Sequence, residues 1–182
     1  MPAERTAPHQ LDLVIDFVNT FDLEERTEAL ADEAGLAAWL AERGLLAKDE
    51  KVTSAQLGAA LELREALRAT MLANNGAPED VPAAAALERA ARRGELSVHF
   101  CDGTSRLEPC VDGPDGALAA LLAPVAEAMS DGTWARVKAC RADSCQWAFY
   151  DFSRNRSGTW CDMAVCGNRE KVRAYRERTP HP

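Results

Sequence analysis

The chain has 182 residues and a formal net charge of −8, and 47% of its residues are hydrophobic but only 6% aromatic. That length allows one ordinary domain plus a small module, and an alanine-rich apolar fraction poor in aromatics argues for helices against a β-sandwich. No stretch reaches the roughly 20 apolar residues a membrane span needs, and the polar opening Met1 to Gln10 lacks the apolar core of a signal peptide, so a soluble, cytoplasmic protein with no membrane partner is expected.

Leu11, Val14, Ile15, Val18 and Phe21 recur at helical spacing, widened by Leu13 and Phe17, which predicts a helix from Leu11 to about Phe21. Asn19 and Thr20 at its end read as capping or cross-linking residues or as ligand contacts, and the Asp12/Asp16 pair as a solvated face. Asp32 is placed to cap a second helix carrying Leu36, Trp39 and Leu40, stopped by Gly44 with Leu45 and Leu46 behind it. Thr53 and Gln56 have capping-box spacing and open a long helix through Leu57, Leu61, Leu63, Leu67 and Met71, closed by the breaker Asn74-Asn75-Gly76-Ala77-Pro78. An alanine-rich helix from about Pro82 to Arg93 ends at Gly94. The period then changes to two. Leu96, Val98 and Phe100 alternate with polar residues, Asp102-Gly103 marks a turn, and Leu107 and Val111 continue the alternation, predicting one β-hairpin whose paired residue numbers sum to about 205 to 207. Cys101 and Cys110 then do not face each other and read as ordinary thiols. A last helix, roughly Gly116 to Met129, precedes Ser130-Asp131-Gly132, the expected boundary between a mainly helical domain at 1–132 and a module at 133–182.

That module holds Cys140, Cys145, Cys161 and Cys166, two C-x4-C pairs separated by fifteen residues, the layout of a four-thiolate zinc site. Four thiolates close the coordination shell, which points to a structural ion and a binding module instead of an enzyme. Buried free thiols, a redox switch that loses zinc on oxidation, or a catalytic zinc lacking one of the four ligands are the alternatives. A module of under fifty residues buries little apolar surface, so Zn²⁺ is expected to supply most of its folding energy, about 10–16 kcal/mol, with Trp147, Phe149 and Trp160 as its small core. Gly167 is read as permitting a tight turn, and Asn168 as capping a helix that starts at Arg169.

Charge divides along the chain. Residues 134–182 carry ten Lys/Arg against five Asp/Glu, +5, so residues 1–133 carry eleven against twenty-four, −13. Four thiolates with one Zn²⁺ would leave the tail near +3. Arg169, Lys171, Arg173 and Arg176 crowd the final helix, the three arginines on one face, and Arg154 and Arg156 lie in the loop before it. These six are the candidate nucleic-acid contacts, by the phosphate attraction a basic helix provides.

The segment from about Val137 to Arg178 resembles the CGNR zinc finger family, whose name spells Cys166-Gly167-Asn168-Arg169 here. Cys140, Cys145, the run Trp147 to Tyr150, Asp151, Ser153, Arg154, Asn155, Ser157, Trp160, Cys161 and Met163 fall where such fingers have them. Gly158-Thr159 stands where the family commonly has basic residues, which removes charge from the loop. Residues 11–129, opening Leu11-Asp12-Leu13-Val14-Ile15-Asp16-Phe17-Val18-Asn19-Thr20, are similar to the ABATE domain that often precedes such fingers. The resemblance implies a bacterial, stress-responsive transcription regulator with a DNA-binding finger. The expectation is therefore an α+β chain, a mainly helical domain with one hairpin followed by a ββα-like zinc module, acting on double-stranded DNA. Its N-terminal domain is expected to form a homodimer, sense a small-molecule effector, or both. A zinc-stapled protein-interaction adaptor and an RNA-binding module are the alternative readings.

Overall fold

The computed structural model describes residues 6–178. The first helix, α1 (Leu11–Val18), buries Leu11, Val14, Ile15, Phe17 and Val18. It stops short of Phe21 because the chain turns at Asn19 into a hairpin that the periodicity did not reveal, β1 (Phe21–Asp22) against β2 (Thr27–Glu28). Helix α2 (Glu33–Glu42) starts where the Asp32 carboxylate accepts from the Gly35 amide and ends at Gly44, whose φ of +70° lets the Leu45 amide reach back to the Leu40 carbonyl. The capping box of Thr53 and Gln56 opens α3 (Ser54–Ala73), and Asp80 caps α4 (Val81–Arg93). Ala66 on α3 and Ala83 and Ala86 on α4 leave no bulk between the two helices, which pack closely side by side.

Strands β3 (Ser97–Cys101) and β4 (Thr104–Glu108) form the predicted hairpin, paired Ser97 with Glu108 through Cys101 with Thr104. Asp102 and Gly103 both have positive φ, the geometry of a two-residue primed turn. The first strand of the hairpin is wholly exposed, with Phe100 84% exposed, and only Leu107 and Glu108 of the second are partly covered. The expected single helix from 116 to 129 is two, α5 (Gly113–Ala120) and α6 (Leu122–Asp131). Pro124 explains the break, since it has no amide to donate to the Ala120 carbonyl and its ring crowds that oxygen.

Three further elements follow. Strand β5 (Val137–Ala139) is wholly buried and pairs antiparallel with β6 (Ala148–Tyr150), and a wide turn at Met163–Gly167 runs into α7 (Asn168–Arg178). The fold is therefore mainly helical with small sheets, ending in a basic helix beside a four-cysteine cluster, as the sequence implied. Packing, however, does not stop at residues 130–132. Leu11, Phe17, Leu36, Leu63, Leu67, Met71 and Leu121 share one core with Trp134, Val137, Ala139 and Ala148, so the β5–β6 hairpin is part of the main body. A module of this size lies against the existing core and gains apolar burial it could not assemble alone.

Polar side chains seal the same junction. The Asn19 amide both donates to the Ala148 carbonyl (2.9 Å) and accepts from its amide (2.8 Å), the cross-linking role that sequence left open. The Asn74 amide at the end of α3 donates to the Trp134 and Val137 carbonyls at 2.8 and 2.9 Å. Arg64, buried on α3, makes a two-pronged contact with Glu28 at 2.7 and 2.8 Å, fixing the β1–β2 hairpin to the helix.

Candidate metal centre

Cys140 leaves β5 with its amide donating to the Trp147 carbonyl, and the Cys145 and Gln146 amides both donate back to the Ala142 carbonyl, closing a knuckle around the first pair. Gln146 has φ of +50°, a conformation unfavourable for a residue with a side chain. Its carbonyl is held by the Arg68 guanidinium at 2.9 Å. The second knuckle begins at Asp162, whose carboxylate accepts from the Ala164 and Val165 amides and starts the wide turn that presents Cys166. Asp162, not Asn168, is therefore the cap; Asn168 already has helical angles. Gly167 serves contact instead of a tight turn, since a β-carbon there would lie 2.5 Å from the Met163 sulfur and 3.0 Å from the Trp160 ring.

All four sulfurs lie within 4.8 Å of one another, with Cys145 to Cys161 at 3.6 Å and Cys161 to Cys166 at 3.8 Å. A tetrahedron of sulfurs about 2.3 Å from a central ion has edges of about 3.8 Å. The geometry fits a metal ion bound by four thiolates. Electrostatics agree: burial, reinforced by the neighbouring sulfurs, pushes the Cys161 thiol far up and the Cys166 thiol up to about 12. So crowded a set cannot shed its protons without a cation among them, and a soft divalent ion is what four sulfurs select. Among the described residues no other group of three or more His, Cys, Asp or Glu side chains converges in this way. Cys101 and Cys110 are exposed on and beside the β3–β4 hairpin. Replacing both by serine is expected to leave the metal content unchanged by elemental analysis.

The small core beside the sulfurs is made by Ala142 and Trp160. Trp147 and Phe149 were expected there too, but Trp147 is 37% exposed and Phe149 only half-buried, because β6 turns Ala148 and Tyr150 towards the main body. Trp147 instead walls a groove of about 250 Å³ shared with Asp22, Glu24, Glu25, Asp162 and Val165.

The loop at 151–158 is organised by an ion pair that sequence reasoning missed. Lys138, 5% exposed, donates from Nζ to Asp151 Oδ2 (2.8 Å) and to the Arg156 and Gly158 carbonyls (2.7 and 2.9 Å). Asp151, 3% exposed, also accepts from the Ser153 and Gly158 amides. Burial opposes ionisation of Asp151, yet these donors prevail and lower its pKa to about 2. A β-carbon at Gly158 would come within 2.7 Å of that carboxylate, which accounts for glycine at this position.

Arg154 and Arg156 are exposed on this loop, and every residue of α7 from Lys171 to Arg178 is exposed. The six basic residues are not equally free. Arg169 meets Glu24 at 2.6 Å, and Arg173 lies between Glu170 at 2.5 Å and Glu177 at 4.0 Å. Arg154, Arg156, Lys171 and Arg176 have no carboxylate partner among the described residues.

A helical body that holds a four-thiol metal turn, from which a basic helix projects, defines a metal-finger protein. Residues 136–179 match the CGNR zinc finger, and residues 11–132 match ABATE, described as a putative stress-induced transcription regulator; the chain belongs to the ABATE family. Comparison with curated proteins finds no match. Among the described residues no helix is long and apolar enough to cross a membrane.

Proposed function

We propose that this chain is a zinc-dependent, double-strand DNA-binding transcription regulator acting in the cytoplasm, with Zn²⁺ on Cys140, Cys145, Cys161 and Cys166. The observation that carries the reading is α7, eleven residues long, strongly basic and with no buried side chain. A helix so short is marginal on its own in water, so its order depends on the metal turn at its start and on whatever it contacts. Phosphate is the partner its charge suits. A closed shell of four sulfurs leaves no position for substrate, so the reading is of recognition and not turnover. One finger offers little surface for a specific site, and a homodimer reading two half-sites would supply the rest. The helical body is the natural seat for dimerisation or for a small-molecule effector.

The test is retention of genomic duplex fragments by the zinc-loaded full chain at about 50 mM salt, where phosphate contacts are favoured. With Arg154, Arg156, Lys171 and Arg176 on phosphates, log affinity is expected to fall against log salt with a slope of about −3.6. Arg176→Ala should flatten the slope by about 0.9, whereas Arg173→Ala should change it less, because Glu170 and Glu177 already neutralise that guanidinium. Val172 and Tyr175, 42% and 65% exposed on the same helix, favour protein docking as the second reading. Absence of duplex binding by the loaded chain would install that reading in place of the first, and preference for RNA would redirect it.

A further inference from the structure

Two knuckles must be placed against each other before four sulfurs can share an ion, and the loop between them is long. The segment immediately before each knuckle is tied to the same side chain. The Asn75 amide donates to the Ala139 carbonyl, one residue before Cys140, and to the Thr159 carbonyl, two before Cys161, both at 2.8 Å. The Arg141 amide also donates to the Thr159 carbonyl, so the two strands of chain meet where Asn75 holds them. From α3, which ends just before Asn75, Arg68, 2% exposed, reaches Gln146 inside the first knuckle while its other nitrogens donate to the Val18 and Phe21 carbonyls and to Glu65. Arg68 thereby supports the left-handed backbone next to Cys145.

We propose that Asn75 and Arg68 are positioning residues of the metal centre, so that metal retention and the backbone contacts of these two side chains depend on each other. Neither residue touches the sulfurs. Each fixes backbone from which the cysteines project, as groups behind metal ligands commonly do. Without a cation nothing draws the two knuckles onto a common centre, the acceptors of Asn75 are free to move apart, and its two hydrogen bonds weaken with loss of the ion. Bonds formed chiefly in the loaded state contribute to metal affinity, and by reciprocity the ion stabilises the body that supplies them. The inference rests on the four-thiol site alone and is independent of DNA.

The measurement is competition between the reduced full-length chain and a chromophoric chelator for Zn²⁺, with the Co²⁺ spectrum reporting ligand geometry. Asn75→Ala is expected to hold Zn²⁺ about tenfold more weakly and to alter the Co²⁺ bands, and Asn75→Ser, which keeps one donor, about threefold. Arg68→Lys should weaken Zn²⁺ by a similar factor if its hold on Gln146 is lost. Leu63→Ala, a fully buried change on the same helix away from the knuckles, is the control. It should lower thermal stability at least as much while leaving Zn²⁺ affinity, measured well below melting, within about twofold. Wild-type affinity in the folded Asn75 variants, or an equal loss in Leu63→Ala, overturns the proposal. Failure of every version to take up Zn²⁺ or Co²⁺ would instead refute the metal reading itself.

Discussion

Cys166→Ser is expected to release the metal and to lower the melting temperature of the whole chain, not only of its last fifty residues. A structural site of this kind contributes about 10–16 kcal/mol of apparent binding energy at neutral pH. Part of that energy reaches the body, because β5 and β6 share its core and Asn19, Asn74 and Asn75 hold them there. Helices α2, α3 and α4 carry side-chain caps and the helices supply most of the shared core, so the metal-free protein should keep most of its helical circular dichroism at 25 °C. The residues from 151 to 178 should become open to protease. If about 2 kcal/mol of coupling is lost, the body should melt roughly 4–8 °C lower, given about 2–4 °C per kcal/mol in a chain of this size. An unmoved melting temperature after metal removal would mean the junction transmits nothing. Chelation of the wild type should reproduce the shift, and re-addition of Zn²⁺ should reverse it in the wild type alone.

Lys138→Met should be the most damaging change that spares both the sulfurs and the apolar core. It leaves Asp151 buried without its cation and strands the Arg156 and Gly158 carbonyls, a loss of about 3–5 kcal/mol for breaking a buried pair. Denaturant titration at neutral pH measures it. Acid probes the same pair. With its folded pKa lowered to about 2 against an ordinary 3.8, Asp151 contributes roughly 2 kcal/mol that is present above the unfolded pKa and lost as pH falls through 2. The difference in stability between wild type and Asp151→Asn isolates this term, because protonation of the shared thiolates cancels between them. That difference should shrink between about pH 4 and 2. If it stays constant across that interval, folding does not lower the Asp151 pKa. Since the pair shapes the loop bearing Arg154 and Arg156, Asp151→Asn should also weaken any phosphate contact made there.

The features readable in the sequence were those with local causes. Asp32, the Thr53/Gln56 box and Asp102-Gly103 act within three or four residues, so their positions predict their structures. Cysteine spacing foretold the cluster for the same reason, each pair closing over one short turn. Non-local features escaped. Lys138 is one residue in a three-residue strand, and nothing near it in sequence says that Asp151 will be its buried partner. Asn74 and Asn75 read as a helix breaker, which they are, while their side chains serve carbonyls some sixty to eighty residues on. Trp147 was assigned to a core by its hydrophobicity, but a strand alternates faces and the body took the neighbours. Pro124 was a signal within reach, since its effect on the Ala120 carbonyl is local.

The bond from Asn19 to Ala148 spans 129 residues, and it sets an order of events during synthesis. Helix α1 is made well before the strand that completes its surroundings. At about 5–20 residues per second the nascent chain holds an unfinished face open for several seconds or more. Closing so long a loop is also the slow step in forming contacts this distant in sequence. Cys161 and Cys166 emerge later still, so the four-sulfur site is complete only after β5 and β6 have been made, and a shortage of metal at that stage should leave the cysteine turns open to protease on an otherwise folded body.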